Sequence, residues 1–484
     1  MTVPERHRFD LVCIGSGPAG QRAAVQAAKL GKRVAVVERR RGMGGVCVET
    51  GTIPSKTFRE AVRRFYSRPG LESSSHGHVA RPTMSQLVEH VGRVIEREIQ
   101  AVHSALERND IEIVRAKASF ADPHTLLVDT GDGVRRLHTD HVLIAVGTRP
   151  GRPRGADTDG ETVVTSDGVL SISHLPRTMA VVGAGVIGIE YASMFAALGV
   201  HVTIIDQRLR PLEFLDHEIT DELIHQLRKR DVTFRCGEVV DRIDVAPSPQ
   251  RKGLIRLESG KHLVADVILI AAGRIGATDD LELENVGLAA DSRGRLDVDG
   301  HYRTSIPNIY AAGDVIGFPA LAATSSEQGR LAACHMFGVP AAPMGSHFPV
   351  GIYAIPEVSM VGATEEDLTA KKIPYETGVA RYKEISRGQI RGDDSGMFKM
   401  IFHRDDGRLL GVHCIGSGAT ELVHVGQAVL ALGGGLDYFL QTVFNYPTLA
   451  ECYKVASYNA ANKLALVRSL SAAVSIDAEQ PCPN

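Results

Sequence analysis

FDLVCIGSGPAG (Phe9–Gly20) is a short apolar run that closes on glycines spaced as GxGxxG. A run of this length, bounded by turn residues, reads as a strand buried on both faces of a parallel sheet. Gln21–Leu30 then carries helical spacing, and RVAVVE (Arg33–Glu38) reads as a second strand. The same order returns at TMAVVG (Thr178–Gly183), GAGVIG (Gly183–Gly188), a helix through Leu198 and HVTIID (His201–Asp206). In both copies the acidic residue ending the next strand lies 18 positions after the third glycine. One such motif is weak evidence, since glycine turns are common. Two, each following a strand, opening a helix and completed by an acid, predict two dinucleotide-binding βαβ units.

The glycines have separate tasks. Gly15 and Gly17 permit a tight turn and close approach of backbone to a pyrophosphate, and Gly20 lets helix pack on strand, with Ser16, Pro18 and Ala19 filling the turn. Glu38, with Arg39 beside it, is placed to accept hydrogen bonds from a ribose. In the second unit Gly183, Gly185 and Gly188 repeat the turn, and Val186 and Ile187 either contact a nucleotide or simply pack. Asp206 suits the free ribose hydroxyls of NAD(H), whereas Arg208 and Arg210 stand close enough in sequence to receive the 2′-phosphate of NADP(H). The residues leave that preference open: the arginines could equally be solvated.

Lys and Arg total 54 against 57 Asp and Glu, a net charge of −3, which gives no electrostatic footprint for nucleic acid or anionic lipid. Small molecules are the expected partners. Seven scattered cysteines form no CxxC, so neither a disulfide framework nor a zinc site is expected, and no histidine spacing suggests a metal; His413 and His424 read as structural. The charged start MTVPERHRFD has no signal-peptide core, and the apolar tract Met179–Ile205 holds four glycines and Glu190, so a soluble, cytoplasmic protein is expected. Elsewhere, Thr83–Arg108 reads as a helix, Ile111–Leu127 and Leu137–Val146 as strands, Gly151–Gly160 as a crossing between domains, and the residues from Ser471 as a disordered polar tail.

The order GSGPAG, GGVCVETGTIPSK (Gly44–Lys56), GAGVIGIE and AAGDV (Ala311–Val315) resembles the flavin-dependent pyridine nucleotide disulfide oxidoreductases over roughly Phe9–Ala465. The resemblance implies an α/β chain with two Rossmann-like dinucleotide-binding domains, the FAD domain interrupted by the NAD(P) domain, and a C-terminal α+β dimerisation domain. Its expected boundaries are 1–155 and 278–346 for the FAD domain, 156–277 for the NAD(P) domain, 347–470 for the interface and 471–484 for the tail. It also implies a homodimer. By position, Gly44, Gly45, Val46, Cys47 and Thr52 line the flavin, Ala118 meets the adenine, and Gly147 ends the strand before the crossing. Gly273 and Arg274 mark the next crossing, Gly313 and Asp314 meet the ribityl chain and phosphate, and a helix from Leu321 and Ala322 points at the isoalloxazine. Lys56 and Glu190 carry over as the ion pair that tunes flavin N5.

Two departures bear on chemistry. Disulfide-using relatives need Cys-x4-Cys, and here Thr52 follows Cys47; they also carry a histidine in HPTxxE, and here YPTLAE places Tyr446 at that position with Glu451 retained. The mercuric alternative needs paired cysteines near the C-terminus, where Cys482 stands alone, and Val146 replaces the usual threonine of an ATG motif. GTIPSK with FNYPT resembles one branch, the soluble pyridine nucleotide transhydrogenases, which implies hydride transfer from NADPH to NAD⁺ through FAD with no protein nucleophile. The same motifs also fit a diaphorase or quinone reductase, or a nucleotide redox sensor with negligible turnover. Cys47 is then a small residue packed on the flavin.

Overall fold

The computed structural model describes residues 8–66, 82–151, 155–247 and 251–478. Cys482 and the end of the expected tail fall outside them. Two compact units emerge, one of Met1–Gly183 with Val240–Met344, the other of Ala184–Val239 with Gly345–Asn484.

In the first unit the apolar run becomes the strand Arg8–Ile14, with Leu11, Val12 and Cys13 fully buried. It pairs in parallel with Val34–Glu38 on one side and Val134–Ile144 on the other, as expected of a strand covered on both faces. The sheet continues in parallel to Glu112–Arg115, and beyond Val134–Ile144 it turns antiparallel through Thr125–Asp129 and Lys117–Asp122; Ile309–Ala311 adds a parallel strand beside Val134–Ile144. The stretch Ile111–Leu127, expected as strand, thus divides into three.

The helix Pro18–Lys29 packs on this sheet through Ala19, Ala23, Ala24 and Ala27. A second helix, Ala322–Met336, approaches it so closely that a Cβ at Gly329 would stand 2.1 Å from the Ala19 carbonyl oxygen. Thr83 caps the helix Met84–Glu107: its Oγ accepts the Gln86 N–H at 3.2 Å while Gln86 Oε1 accepts the Thr83 N–H at 3.0 Å. The same unit holds a parallel trio, Val163–Thr165, Val267–Ile270 and Thr178–Val182, and a two-stranded ribbon, Thr148–Pro150 with Arg274–Gly276.

The second unit contains the helix Val186–Ala197, the parallel strands His201–Asp206 and Val232–Cys236, and the helix His217–Arg228. Its C-terminal part is a five-stranded antiparallel sheet, in spatial order Val350–Ile352, Val358–Gly362, Leu409–Ile415, Met397–His403, Tyr375–Arg381, carrying the helices Ala419–Ala431 and Glu451–Ala478. The last helix runs on through 471–478, where composition alone reads a tail. Strands and helices together give the mixed α/β architecture expected.

Candidate functional site

The first glycine turn works by close approach. Gly15 sits at φ +108° with its Cβ position 2.3 Å from the Ala145 carbonyl oxygen, and a Cβ on Gly20 would lie 2.0 Å from the Gly15 oxygen. Side chains are excluded at both. The turn delivers the N-terminus of Pro18–Lys29 with Gly17 as an N-cap that offers no side-chain cap and with no acid in the first turn. Its free N–H groups are therefore left for an anion.

Ser16 ties this turn to the strand end. Its N–H and Oγ both donate to Glu38 Oε2, at 3.0 and 2.6 Å, and its Oγ accepts the Gly44 N–H at 2.9 Å. Among the described residues, Glu38 Oε1 accepts only the Arg40 N–H, at 2.9 Å, and the Arg40 guanidinium turns away to Glu49 at 2.9 Å. The carboxylate keeps acceptor capacity toward the cleft it lines.

That cleft extends from the glycine turn past Glu38 to Asp314. Gly15, Ser16, Gly17, Pro18, Ala19, Glu38, Arg39, Gly45, Val46, Cys47, Thr52, Ala118, Gly147, Gly313, Asp314 and Ala322 all line it. Gly20, Gly44, Lys56, Gly273, Arg274 and Leu321 are not among the residues that line it. Gly44, at φ +116°, starts the short helix Gly45–Glu49, and Arg274 holds Thr148 and Asp167. Lys56 lies in the helix Thr52–Tyr66 with Nζ 3.4 Å from Ser55 Oγ. Pro54 occupies the first turn of that helix, where no N–H is needed.

The sequence reading missed Thr148, Asp280, Leu281 and Ser325, which also line the cleft. Asp280 gathers Arg39 at 3.0 Å and Lys117 at 3.2 Å. Asp314 is half-buried: burial pushes its carboxyl up, against the opposing charge of Arg274, and it accepts long hydrogen bonds from the Thr148 and Ser325 hydroxyls, each at 3.5 Å. Its oxygens keep acceptor capacity that the hydroxyls of a polyol chain would fill. An anion seat, a ribose acceptor and a polyol acceptor in one cleft fit FAD.

Cys47 has no second sulfur. Burial raises its pKa, opposed by the Thr52 hydroxyl on its sulfur, and the net direction is up, so the thiol stays neutral at ordinary pH. All the cysteines among the described residues are free. Tyr446 is exposed, with its hydroxyl 2.5 Å from Ser386 Oγ.

In the second unit Val186–Ala197 begins at Gly185, again without a side-chain cap or an acid in its first turn, and places Val186 and Ile187 at its start and Gly188 inside it. Gly183, in the first unit, repeats Gly15: φ +113°, with its Cβ position 2.3 Å from the Ala271 oxygen. Glu190 is buried and accepts the Tyr353 N–H at 2.8 Å. Asp206 Oδ2 accepts the Ala184 N–H at 2.6 Å, as Glu38 does from Ser16, and both Asp206 oxygens bind the Arg208 guanidinium, Nε at 2.9 Å and Nη2 at 2.7 Å. Arg210 pairs with Asp221.

Asp216, Glu218 and Glu365 form the one cluster of three acids or other ligating side chains among the described residues, and the Lys399 ammonium binds all three. A cation already fills it.

Residues 9–329 match the family model described as pyridine nucleotide-disulphide oxidoreductase, and 348–457 match the dimerisation domain of the same family. The chain belongs to this family. Among curated relatives, it is 51% identical over 462 residues to the soluble pyridine nucleotide transhydrogenase of Mycobacterium tuberculosis (strain ATCC 25177 / H37Ra), covering 94% of this chain and 98% of the relative. It is 44% identical over 466 residues to the transhydrogenase of the same description from Marinomonas sp. (strain MWYL1), covering 95% and 99%. Of solved structures, the HOCl-induced flavoprotein disulfide reductase RclA from Escherichia coli is similar at TM-score 0.84 and 26% identity, covering 93% of this chain and 99% of that one. The chain is thus an oxidoreductase enzyme of the pyridine nucleotide-disulphide oxidoreductase fold. No helix among the described residues is long and apolar enough to cross a membrane.

Proposed function

We propose that this enzyme equilibrates NADPH and NAD⁺ with NADP⁺ and NADH through a single bound FAD, without a redox-active disulfide. The observation that carries the reading is the Cys47–Thr52 pair: a lone thiol with a hydroxyl where sulfur relay chemistry needs a partner sulfur. The transhydrogenase description of relatives at 44–51% identity over nearly the whole chain supports it.

FAD, when bound, supplies hydride acceptance and return. The protein's part is position and shielding. Glu38 takes the ribose hydroxyls, the uncapped start of Pro18–Lys29 takes the pyrophosphate, and Asp314 takes polyol hydroxyls. Gly45, whose Cβ position lies 3.2 Å from Gly17 Cα, lets backbone meet backbone beside the ligand. Cys47 packs there as a small apolar group, and Lys56, on the helix that Thr52 opens, adjusts the flavin by its charge. NAD(H) and NADP(H) enter in turn at the second glycine turn, and the enzyme works as a homodimer through its C-terminal domain.

Incubating the holoenzyme with NADPH and the thionicotinamide analogue of NAD⁺, beside a quinone control, tests this. Reduced analogue is expected. Transfer to the quinone alone would make the protein a diaphorase, and transfer to neither would leave a sensor.

A further inference from the structure

The two glycine turns repeat the same hydrogen bonds. Ser16 donates to Glu38 and Ala184 to Asp206, each across 22 positions, and the acid then accepts the N–H two residues on, from Arg40 in one case and Arg208 in the other. They part company at the guanidinium. Arg40 is drawn off by Glu49, which leaves Glu38 open to a ligand. Among the described residues no such acid pairs with Arg208. Its guanidinium folds back onto Asp206, so the two carboxylate oxygens accept four N–H groups: from Ala184 at 2.6 Å, from the Arg208 backbone at 2.8 Å, and from its Nε and Nη2 at 2.9 and 2.7 Å.

An ionised carboxylate has about four lone-pair sites. Asp206 is full. A ribose diol can reach it only by displacing the arginine. The guanidinium is in turn half-exposed, with its side chain 37% accessible, and its Nη2 lies 4.0 Å from the Cβ position of Gly185, beside the helix start where a nucleotide's phosphates sit. Arg210, the other candidate, is held by Asp221 and lines a different cavity with His225 and Arg228.

Resting on the transhydrogenase reading, we propose that the Asp206–Arg208 ion pair is the device by which one site accepts both nucleotides. NADP(H) opens the pair by drawing the guanidinium onto its 2′-phosphate, bidentate and charge-assisted. NAD(H) opens it by placing its 2′,3′-diol on the carboxylate. Each nucleotide replaces what it breaks, and neither gains an unopposed partner. The pair levels the two affinities. Arg208 is therefore both a ligand for one nucleotide and a competitor of the other.

That second role makes a prediction that simple phosphate recognition does not. In the FAD-loaded full chain, Arg208→Ala should weaken binding of 2′-phospho-ADP-ribose by roughly tenfold or more, the loss of a charged hydrogen bond. It should tighten ADP-ribose by about two- to fivefold, the release of a partly exposed ion pair. Asp206→Asn should weaken ADP-ribose, and Arg210→Gln should leave both probes unchanged.

Isothermal titration calorimetry with these two half-molecules measures binding without turnover, so its outcome is independent of the hydride assay above. Opposite movement of the two probes in Arg208→Ala is the expected result. ADP-ribose binding that is unchanged or weaker, 2′-phospho-ADP-ribose binding that is undiminished, or no binding of either probe to the wild-type holoenzyme would overturn the proposal. Arg208→Lys, which keeps the charge and removes the fork, checks folding: it should retain part of the phosphate affinity.

Discussion

Lys399→Met should cost several kcal/mol at neutral pH and far less in mild acid. Lys399 stands mid-strand in Met397–His403 with its side chain 1% exposed, and its ammonium meets Asp216 at 2.9 and 3.0 Å and Glu218 at 3.1 Å, with Glu365 closing the ring. Glu218 and Glu365 are part-exposed and can turn to water. Asp216, 1% exposed, cannot. It also caps the helix His217–Arg228 by accepting the Glu218 N–H at 3.1 Å, so it is fixed where it is.

Breaking a buried pair by removing one partner costs about 3–5 kcal/mol. The variant's escape is to protonate Asp216, and that sets a ceiling. Protonating a carboxyl of ordinary pKa near 3.9 costs about 4 kcal/mol at about pH 7 and about 1.5 kcal/mol at about pH 5. In the wild type the balance runs the other way. Burial alone would raise Asp216, but His413 and the Lys399 ammonium outweigh it and hold the carboxyl below its usual range. The wild type therefore keeps this stability above the unfolded pKa of about 4 and loses it only as pH falls through the lowered native value.

Thermal unfolding followed by circular dichroism, at about pH 7 and about pH 5, measures the difference. At about 2–4 °C per kcal/mol for a body of this size, the variant should melt roughly 8–15 °C lower at the higher pH and less than half that at the lower. Equal losses at both pH values, or a loss under about 1 kcal/mol at neutral pH, would refute the reasoning.

Gly329→Ala should force apart the helices Pro18–Lys29 and Ala322–Met336, because its Cβ meets the Ala19 oxygen at 2.1 Å; an overpacking cost of about 1–3 kcal/mol and reduced flavin content, read from visible absorbance, are expected. Thr52→Cys places a second thiol where a hydroxyl now touches Cys47, and under mild oxidation should raise the reducing equivalents consumed per flavin from two to four. Lys56→Ala should slow flavin reduction by NADPH about tenfold, equivalent to about 1.4 kcal/mol on the barrier, and unchanged stopped-flow rates would remove Lys56 from the mechanism.

Both glycine turns, their strands and the acids Glu38 and Asp206 were legible in the sequence because each rests on local rules: a glycine where a Cβ cannot fit, an apolar run where both faces are covered. Partner choice was not. Arg40 and Arg208 hold the same place relative to their acids, and only the three-dimensional position of Glu49 separates an open ribose acceptor from a guarded one. The far wall of the cleft was invisible for a similar reason, since Asp280, Leu281 and Ser325 come from segments remote in sequence. No local pattern marks Lys399, because its three acids lie far away in sequence at positions 216, 218 and 365. The helix through 471–478 escaped because its composition is small and polar; it continues a helix begun at Glu451.

Anaerobic titration of the purified holoenzyme with dithionite, followed at the flavin absorbance, bears most directly on the claim that no sulfur takes part. The account predicts full reduction at two electrons per FAD with no charge-transfer band from a thiolate. Uptake of four electrons per FAD, with such a band appearing at the halfway point, would contradict it.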